Sequence, residues 1–226
     1  MLFQVVADGS TQPEALAESG DLPDGLGLNP TGWSPDGRFL LFSGQDATTG
    51  SRDLFLLPMP HDRPAGEPDS KTRVKPKPIP FLRTPFNEND PVFSPDGRWV
   101  AYDSDESGRG EIYVRRFSPS APTEQSARRL VSNGSGDTPS WRGDGKEIFY
   151  YAPDPDGSVM AVSVTPGSSF QMGTPTPLFK LSRAGSLGGF VAAAADGRRF
   201  LVEVPEQQDS RPLFTVVLNW QEGLKK

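Results

Sequence analysis

The chain has no cysteine at all, and with that one absence go disulfide bridges, thiol nucleophiles and thiolate metal sites. Histidine is nearly as scarce: His61 stands alone, between Pro60 and Asp62. A serine nucleophile needs a base and an orienting acid beside it, and no Gly-x-Ser-x-Gly occurs, so no hydrolase chemistry is expected within the chain. An excess of basic residues is also missing. Lysine and arginine total 23 against 29 acidic residues, a formal net charge of −6, which gives no general attraction to phosphate backbones or anionic lipid. Nucleic acid is therefore not an expected partner. The opening Met1-Leu2-Phe3-Gln4-Val5-Val6 lacks the basic start and apolar run of a secretory signal, and no later stretch is apolar for long enough to cross a bilayer as a helix.

Turn-forming residues are plentiful instead. There are 24 glycines and 24 prolines in 226 residues, yet 35% of the chain is hydrophobic and the aromatics are regularly spaced. Many short strands joined by tight turns satisfy both facts. One phrase recurs: Trp33-Ser34-Pro35-Asp36-Gly37-Arg38, Phe93-Ser94-Pro95-Asp96-Gly97-Arg98, Trp141-Arg142-Gly143-Asp144-Gly145-Lys146 and Ala194-Ala195-Asp196-Gly197-Arg198. Its aspartates, Asp36, Asp96, Asp144 and Asp196, stand 60, 48 and 52 residues apart, close to the length of one four-stranded propeller blade. The predicted fold is all-β, a partial propeller of about four blades of four-stranded antiparallel sheets.

Within each repeat the phrase reads as a hairpin turn. Proline pre-sets φ, aspartate bonds nearby backbone N–H groups, and glycine takes the left-handed conformation that reverses the chain. Asp36, Gly37, Asp96, Gly97, Asp144, Gly145, Asp196 and Gly197 are accordingly assigned structural roles, and Gly97→Val is predicted to destabilise more than Gly185→Val. The returning strands, such as Phe39-Leu40-Leu41-Phe42 and Trp99-Val100-Ala101-Tyr102, are apolar at successive positions, which predicts burial on both faces. A polar turn is expected over residues 103–110, then a third strand from Glu111. The last third strand is placed at Leu213-Phe214-Thr215-Val216-Val217-Leu218-Asn219-Trp220. The expected division is a blade remnant over 1–28, blades over 29–83, 84–132 and 133–182, and a final partial blade over 183–226. The chain would thus open in mid-blade, with the ring completed by upstream blades or a second copy. The Pro-rich stretch around Lys71-Thr72-Arg73-Val74-Lys75-Pro76 reads as a solvated loop that accounts for the longest spacing.

Phe/Trp-Ser-Pro-Asp-Gly-Arg, together with Asp103-Ser104-Asp105-Glu106-Ser107-Gly108 and Glu111-Ile112-Tyr113-Val114, resembles the WD-repeat-like propeller repeats of the TolB family. Thr84-Pro85-Phe86-Asn87-Glu88 and the ending Phe214 to Lys226 look like the C-terminal propeller of bacterial serine/threonine protein kinases. That resemblance implies a sensory, extracytoplasmic part of a membrane-anchored parent that extends upstream. No Gly-rich phosphate loop, His-Arg-Asp or Asp-Phe-Gly is present, so kinase chemistry is not encoded here. The expected function is non-catalytic recognition of a protein, peptide or small ligand, without a cofactor. The alternatives are the substrate-gating propeller of a prolyl-oligopeptidase-type peptidase and a stand-alone TolB-like interaction protein.

Two sets of residues are candidates for a site. Asn29, Thr31, Asn89, Asp90, Asp137 and Thr138 recur just ahead of the turn phrase, where inner strands begin, and could converge on the rim of a central channel. Asp103, Asp105 and Glu111 supply hard oxygen ligands at near-alternate positions, loosely like a calcium loop, but lack its full pattern. A hairpin turn is the preferred reading of them, with no metal. Trp33, Phe93, Trp99 and Trp141, at equal positions of successive repeats, are expected in the core between blades.

Overall fold

The computed structural model describes residues 2–4, 12–17, 27–46, 49–59, 76–122, 126–153, 157–165, 169–181 and 191–202. His61, Gly185 and the segment 213–220 lie outside them. The described elements are all strands: β1 (Phe3–Gln4), β2 (Glu14–Ala15), β3 (Asn29–Trp33), β4 (Phe39–Gln45), β5 (Arg52–Pro58), β6 (Ile79–Leu82), β7 (Glu88–Phe93), β8 (Trp99–Ser104) and β9 (Glu111–Arg116). They continue with β10 (Arg128–Leu130), β11 (Asp137–Trp141), β12 (Glu147–Ala152), β13 (Ser158–Thr165), β14 (Gln171–Met172), β15 (Thr176–Lys180), β16 (Val191–Ala193) and β17 (Phe200–Val202).

These strands meander antiparallel into β3-β4-β5-β6, then β7-β8-β9-β10, then β11-β12-β13-β15 with β14 paired to the end of β13. Two-stranded pairs, β1-β2 and β16-β17, stand before and after. The first strands β3, β7, β11 and β16 neighbour one another in succession, so they form the inner side of a partial β-propeller. Apolar clusters lie between successive sheets. Phe39, Leu41 and Leu54 of the first sheet pack with Phe93, Val100 and Tyr102 of the second, and Trp99, Ala101 and Ile112 of the second pack with Trp141, Ile148 and Val162 of the third. Second strands are therefore buried on both faces, with all six residues of β8 buried, whereas outer strand β10 is exposed throughout. An outer strand is covered on fewer sides and tolerates polarity.

The turn phrase closes each first hairpin through local bonds. Ser34 Oγ donates to Asp36 Oδ1 (2.6 Å) and accepts from Phe39 N (3.0 Å), while Asp36 Oδ1 accepts from Arg38 N (3.1 Å). Ser94, Asp96, Arg98 and Trp99 repeat these bonds at 2.6, 3.1 and 3.0 Å. Gly37, Gly97, Gly145 and Gly197 all have φ between 66° and 72°, the region where a Cβ is disfavoured. Successive turns also lie close to one another. A Cβ on Gly97 would lie 3.3 Å from Pro35 Cδ, and one on Gly145 would lie 3.8 Å from Pro95 Cδ. Gly97→Val is expected to cost about 2 kcal/mol more than Gly32→Val, because Gly32 has open space around it and no positive φ. Equal midpoints in urea would refute the need for a left-handed residue at position 97.

Two expectations are corrected. The polar turn after the second strand begins at residue 105, because Asp103 and Ser104 pair with Ile112 and Glu111 inside the β8–β9 ladder and both are buried. Trp33 is 49% exposed, unlike Phe93, Trp99 and Trp141 at 8% each. Phe93 and Trp141 each pack on a preceding four-stranded sheet, whereas the β1-β2 segment places Leu2, Leu16 and Ala17 against Leu40, Phe42, Phe55 and Leu57. A residue missed in the sequence, Phe170, sits just before β14 and fills the gap between Trp99 and Trp141, with ring centroids 4.9 and 6.3 Å away.

Candidate functional site

The inner strands β3, β7 and β11 are interrupted in the same place, whereas β16 pairs with β17 without a shift. The register shifts between Pro30 and Gly32 in β3, between Asn89 and Val92 in β7, and between Asp137 and Ser140 in β11. Pro30, Pro91 and Pro139 lie in or at the edge of these intervals. A proline has no N–H for the ladder, and a bulge is where a strand accommodates it. Asp90 and Thr138 occupy equivalent bulge positions with φ of 44° and 48°, rare for residues with a Cβ. A bulge re-aims the side chains beside it, here at the rim of the inner strands.

At that rim lies a cleft of about 610 Å³ whose wall includes Asn29, Asn89, Asp90, Asp103 and Asp137, and also Arg52 and Arg109. Three successive sheets contribute to it. Asn29 Nδ2 donates to Asp90 Oδ1 at 3.1 Å, a bond between the first and second sheets. Asn89 Nδ2 donates to Asp103 Oδ2 at 3.4 Å across the first hairpin of the second sheet. One carboxylate oxygen each from Asp90, Asp103 and Asp137 lies within 4.8 Å of the others. Burial pushes the Asp103 carboxyl well above its ordinary value, and the neighbouring Asp90 and Asp137 add to the effect. Burial likewise raises Asp137, with Asp90 adding, and raises Asp90 against the opposing charge of Arg52 and the Asn29 bond. The clustered carboxyls thus resist ionising together unless a positive group joins them.

Of the residues expected at the rim, Asn29, Asn89, Asp90 and Asp137 line the cleft. Thr31 turns its hydroxyl to the Leu41 carbonyl (3.3 Å), and Thr138 forms the bulge. Of the residues weighed as a calcium loop, only Asp103 reaches the cleft. Asp105 accepts from the backbone and side chain of Asn87, both at 2.8 Å, and those bonds hold its carboxyl below the ordinary range. Glu111 accepts from Ser132 Oγ and, at 3.2 Å, from Arg109 Nε. The place of Asp103 at the rim could have been found in the sequence by counting outward from the turn phrase, since it pairs directly opposite Asn89.

An all-β partial propeller with a polar, acidic rim cleft is the class these features define. No family model matches the chain, and no curated protein matches it. Among solved structures it is similar to a TolB candidate from Agrobacterium tumefaciens (TM-score 0.50, 16% identity, covering 73% of this chain and 53% of that one). It is also similar to a puromycin-hydrolysing peptidase of Mycobacterium tuberculosis (TM-score 0.52, 22% identity, 86% and 30% covered). A candidate 6-phosphogluconolactonase from Bacteroides uniformis matches with TM-score 0.51 and 15% identity, 89% and 56% covered. The chain thus spans between 30% and 56% of the length of these proteins. At such identities the likeness is one of fold, a β-propeller, and blades of this kind serve unrelated functions.

Proposed function

We propose that the chain is a non-catalytic recognition module that binds a protein, peptide or small ligand at the rim cleft. The observation that carries this reading is convergence. Asn29, Asn89, Asp90 and Asp137 come from three sheets and more than a hundred residues of sequence, yet line one concavity. Recognition needs fixed donors and acceptors in a recess, and the repeat supplies them by placing polar residues at one bulge position after another. The parent, on the resemblance of Thr84-Pro85-Phe86-Asn87-Glu88 and the chain's ending, is a membrane-anchored serine/threonine kinase with this propeller as its sensor. The likeness to a peptidase keeps a second reading, a propeller that gates access to a hydrolase domain.

A thermal-shift screen of peptides and small polar ligands tests the site. Ligands that stabilise the protein are expected to lose their effect in the double variant Asp90→Asn/Asp137→Asn. Hits that survive it unchanged would place recognition elsewhere. The parent gene separates the two contexts: a kinase domain and membrane span upstream support the sensor, and a hydrolase domain with Gly-x-Ser-x-Gly downstream supports the gate.

A further inference from the structure

Three carboxylates at the rim leave one acceptor unanswered. Asp103 is only 9% exposed, and its Oδ1 has no hydrogen-bond partner among the described residues. Its Oδ2 accepts a long 3.4 Å bond from Asn89, and its own backbone also favours the carboxylate. A buried carboxylate oxygen without a donor is costly, and two further carboxylates nearby raise that cost. Arg52 and Arg109 line the cleft, and Arg52 opposes the charge of Asp90, but neither hydrogen-bonds Asp103 Oδ1. Arg52 Nη1 donates to the Gly27 carbonyl at 2.9 Å and lies 3.5 Å from Ser43 Oγ, and Arg109 pairs with Glu111.

The distances favour an ion. Calcium holds its oxygen ligands at about 2.3–2.6 Å, so two oxygens on one ion stand at most about 5 Å apart. The oxygens of Asp90, Asp103 and Asp137 meet that limit, all within 4.8 Å. Asn29 and Asn89 line the same cleft and carry amide oxygens of the kind that completes such a shell, and the open side admits water. An irregular set of carboxylates, amides and water suits calcium, which accepts six to eight oxygens flexibly, better than magnesium with its strict octahedron.

We propose that Asp90, Asp103 and Asp137 hold a divalent cation of the calcium class at the mouth of the rim cleft, joining the second and third sheets. The proposal rests on the reading of this cleft as the binding site and names one occupant of it. The bound ion would turn an acidic recess into a charge-balanced one able to accept an anionic or neutral partner group.

Protein stripped with EDTA and titrated with calcium chloride by calorimetry is expected to bind one ion and to melt higher, with magnesium chloride much weaker. Asp103→Asn and Asp137→Asn are each expected to weaken calcium binding by at least about tenfold, and Asp105→Asn to leave it unchanged. In EDTA, Asp103→Asn should melt at or above the parent protein, because a repelling charge is gone. This control shows that the variant folds, and Asp137→Asn serves the same purpose if it does not. Absence of saturable binding up to about 10 mM calcium, above the range of the weakest calcium modules, overturns the proposal, as does binding untouched by both variants. If methylammonium or a peptide amine stabilises the protein through Asp103 while calcium does not, the metal assignment falls and ligand recognition stands. If calcium binds through these residues while every ligand survives Asp90→Asn/Asp137→Asn, the recognition reading falls and the cation site stands.

Discussion

Phe117→Ala is expected to destabilise the protein by about 3–5 kcal/mol, the range for emptying a buried aromatic site. Phe117 follows β9, is 3% exposed, and is fixed there by its N–H, which donates to the Arg98 carbonyl at 2.7 Å. Its ring meets Phe39 and Phe81 of the first sheet edge-on, at 5.6 and 6.1 Å, and Phe93 of the second at 5.0 Å. One side chain therefore pins two sheets. In an array stabilised by contacts between neighbours, losing an interface uncouples units as well as lowering the total. The urea transition should accordingly broaden as its midpoint falls. Phe117→Leu, which fills most of the site, should cost about 1 kcal/mol, and Leu201→Ala, at a side chain 68% exposed, should stay within about 0.5 kcal/mol. A loss below about 1 kcal/mol for Phe117→Ala would mean that the two sheets are held by other contacts.

The second large effect is a dependence on pH. Glu88, 1% exposed, begins β7. Its Oε1 accepts from Thr84 Oγ1 (2.5 Å) and Ser104 Oγ (3.4 Å), and its Oε2 has no partner among the described residues. Burial pushes its carboxyl from 4.5 up to about 7 against the Thr84 bond, with the charge of Asp53 adding. Asp53, wholly buried, is itself raised by burial to about 6, with Asp46 adding and Arg83 opposing. Both values in the folded chain lie above those of the unfolded chain. The folded state therefore binds more protons between them, and the stability this provides is complete only below pH 3.8, the lower of the two unfolded values, and gone above about 7. For Glu88 the change is roughly 3 kcal/mol, at about 1.4 kcal/mol for each pH unit. Glu88→Gln is expected to be nearly neutral at pH 4 and stabilising by about 2–3 kcal/mol at pH 8. Melting temperatures across that range measure it. A variant equally destabilised at both ends would show that the carboxylate is ionised and well satisfied throughout.

The turns are the most legible part of the fold, because all that shapes them lies within six residues: a serine or arginine, an aspartate, a glycine and the strand that follows. Sheet order follows from repeating that unit. Trp33 shows where the logic stops. It shares its place in the phrase with Phe93 and Trp141, but burial depends on what a neighbouring sheet presents, and that is not written in the phrase. Asp103 shows a second limit. A run of acids and serines over 103–108 reads as a turn, yet the ladder extends to Ser104 and draws Asp103 inside. Its meeting with Asp137 depends on bulges in β7 and β11, whose displacement no local pattern states. Asp53, Glu88 and Glu111 were obscure for the same reason. They sit at or near strand ends, where polarity suggests solvent, but the links between sheets fold back on them, Thr84 bonding Asp53 and Glu88, and Ser132 bonding Glu111.

The closeness of Pro35 to Gly97, and of Pro95 to Gly145, bears on how such a chain can change in length. Both junctions are built from the same two parts, so Pro35 and Pro95 are interchangeable against the glycine of the following turn, whereas the third turn has Gly143 in that place and sets Arg142 near Gly197. Excising the stretch from one Asp-Gly turn to the next would bring Pro35 against Gly145, a joint of a kind the molecule already contains. Duplicating that stretch would likewise create no foreign surface. Gain or loss of whole units is thus a gentler event for this architecture than loss of a few residues within one, which would put the glycine and its proline out of step.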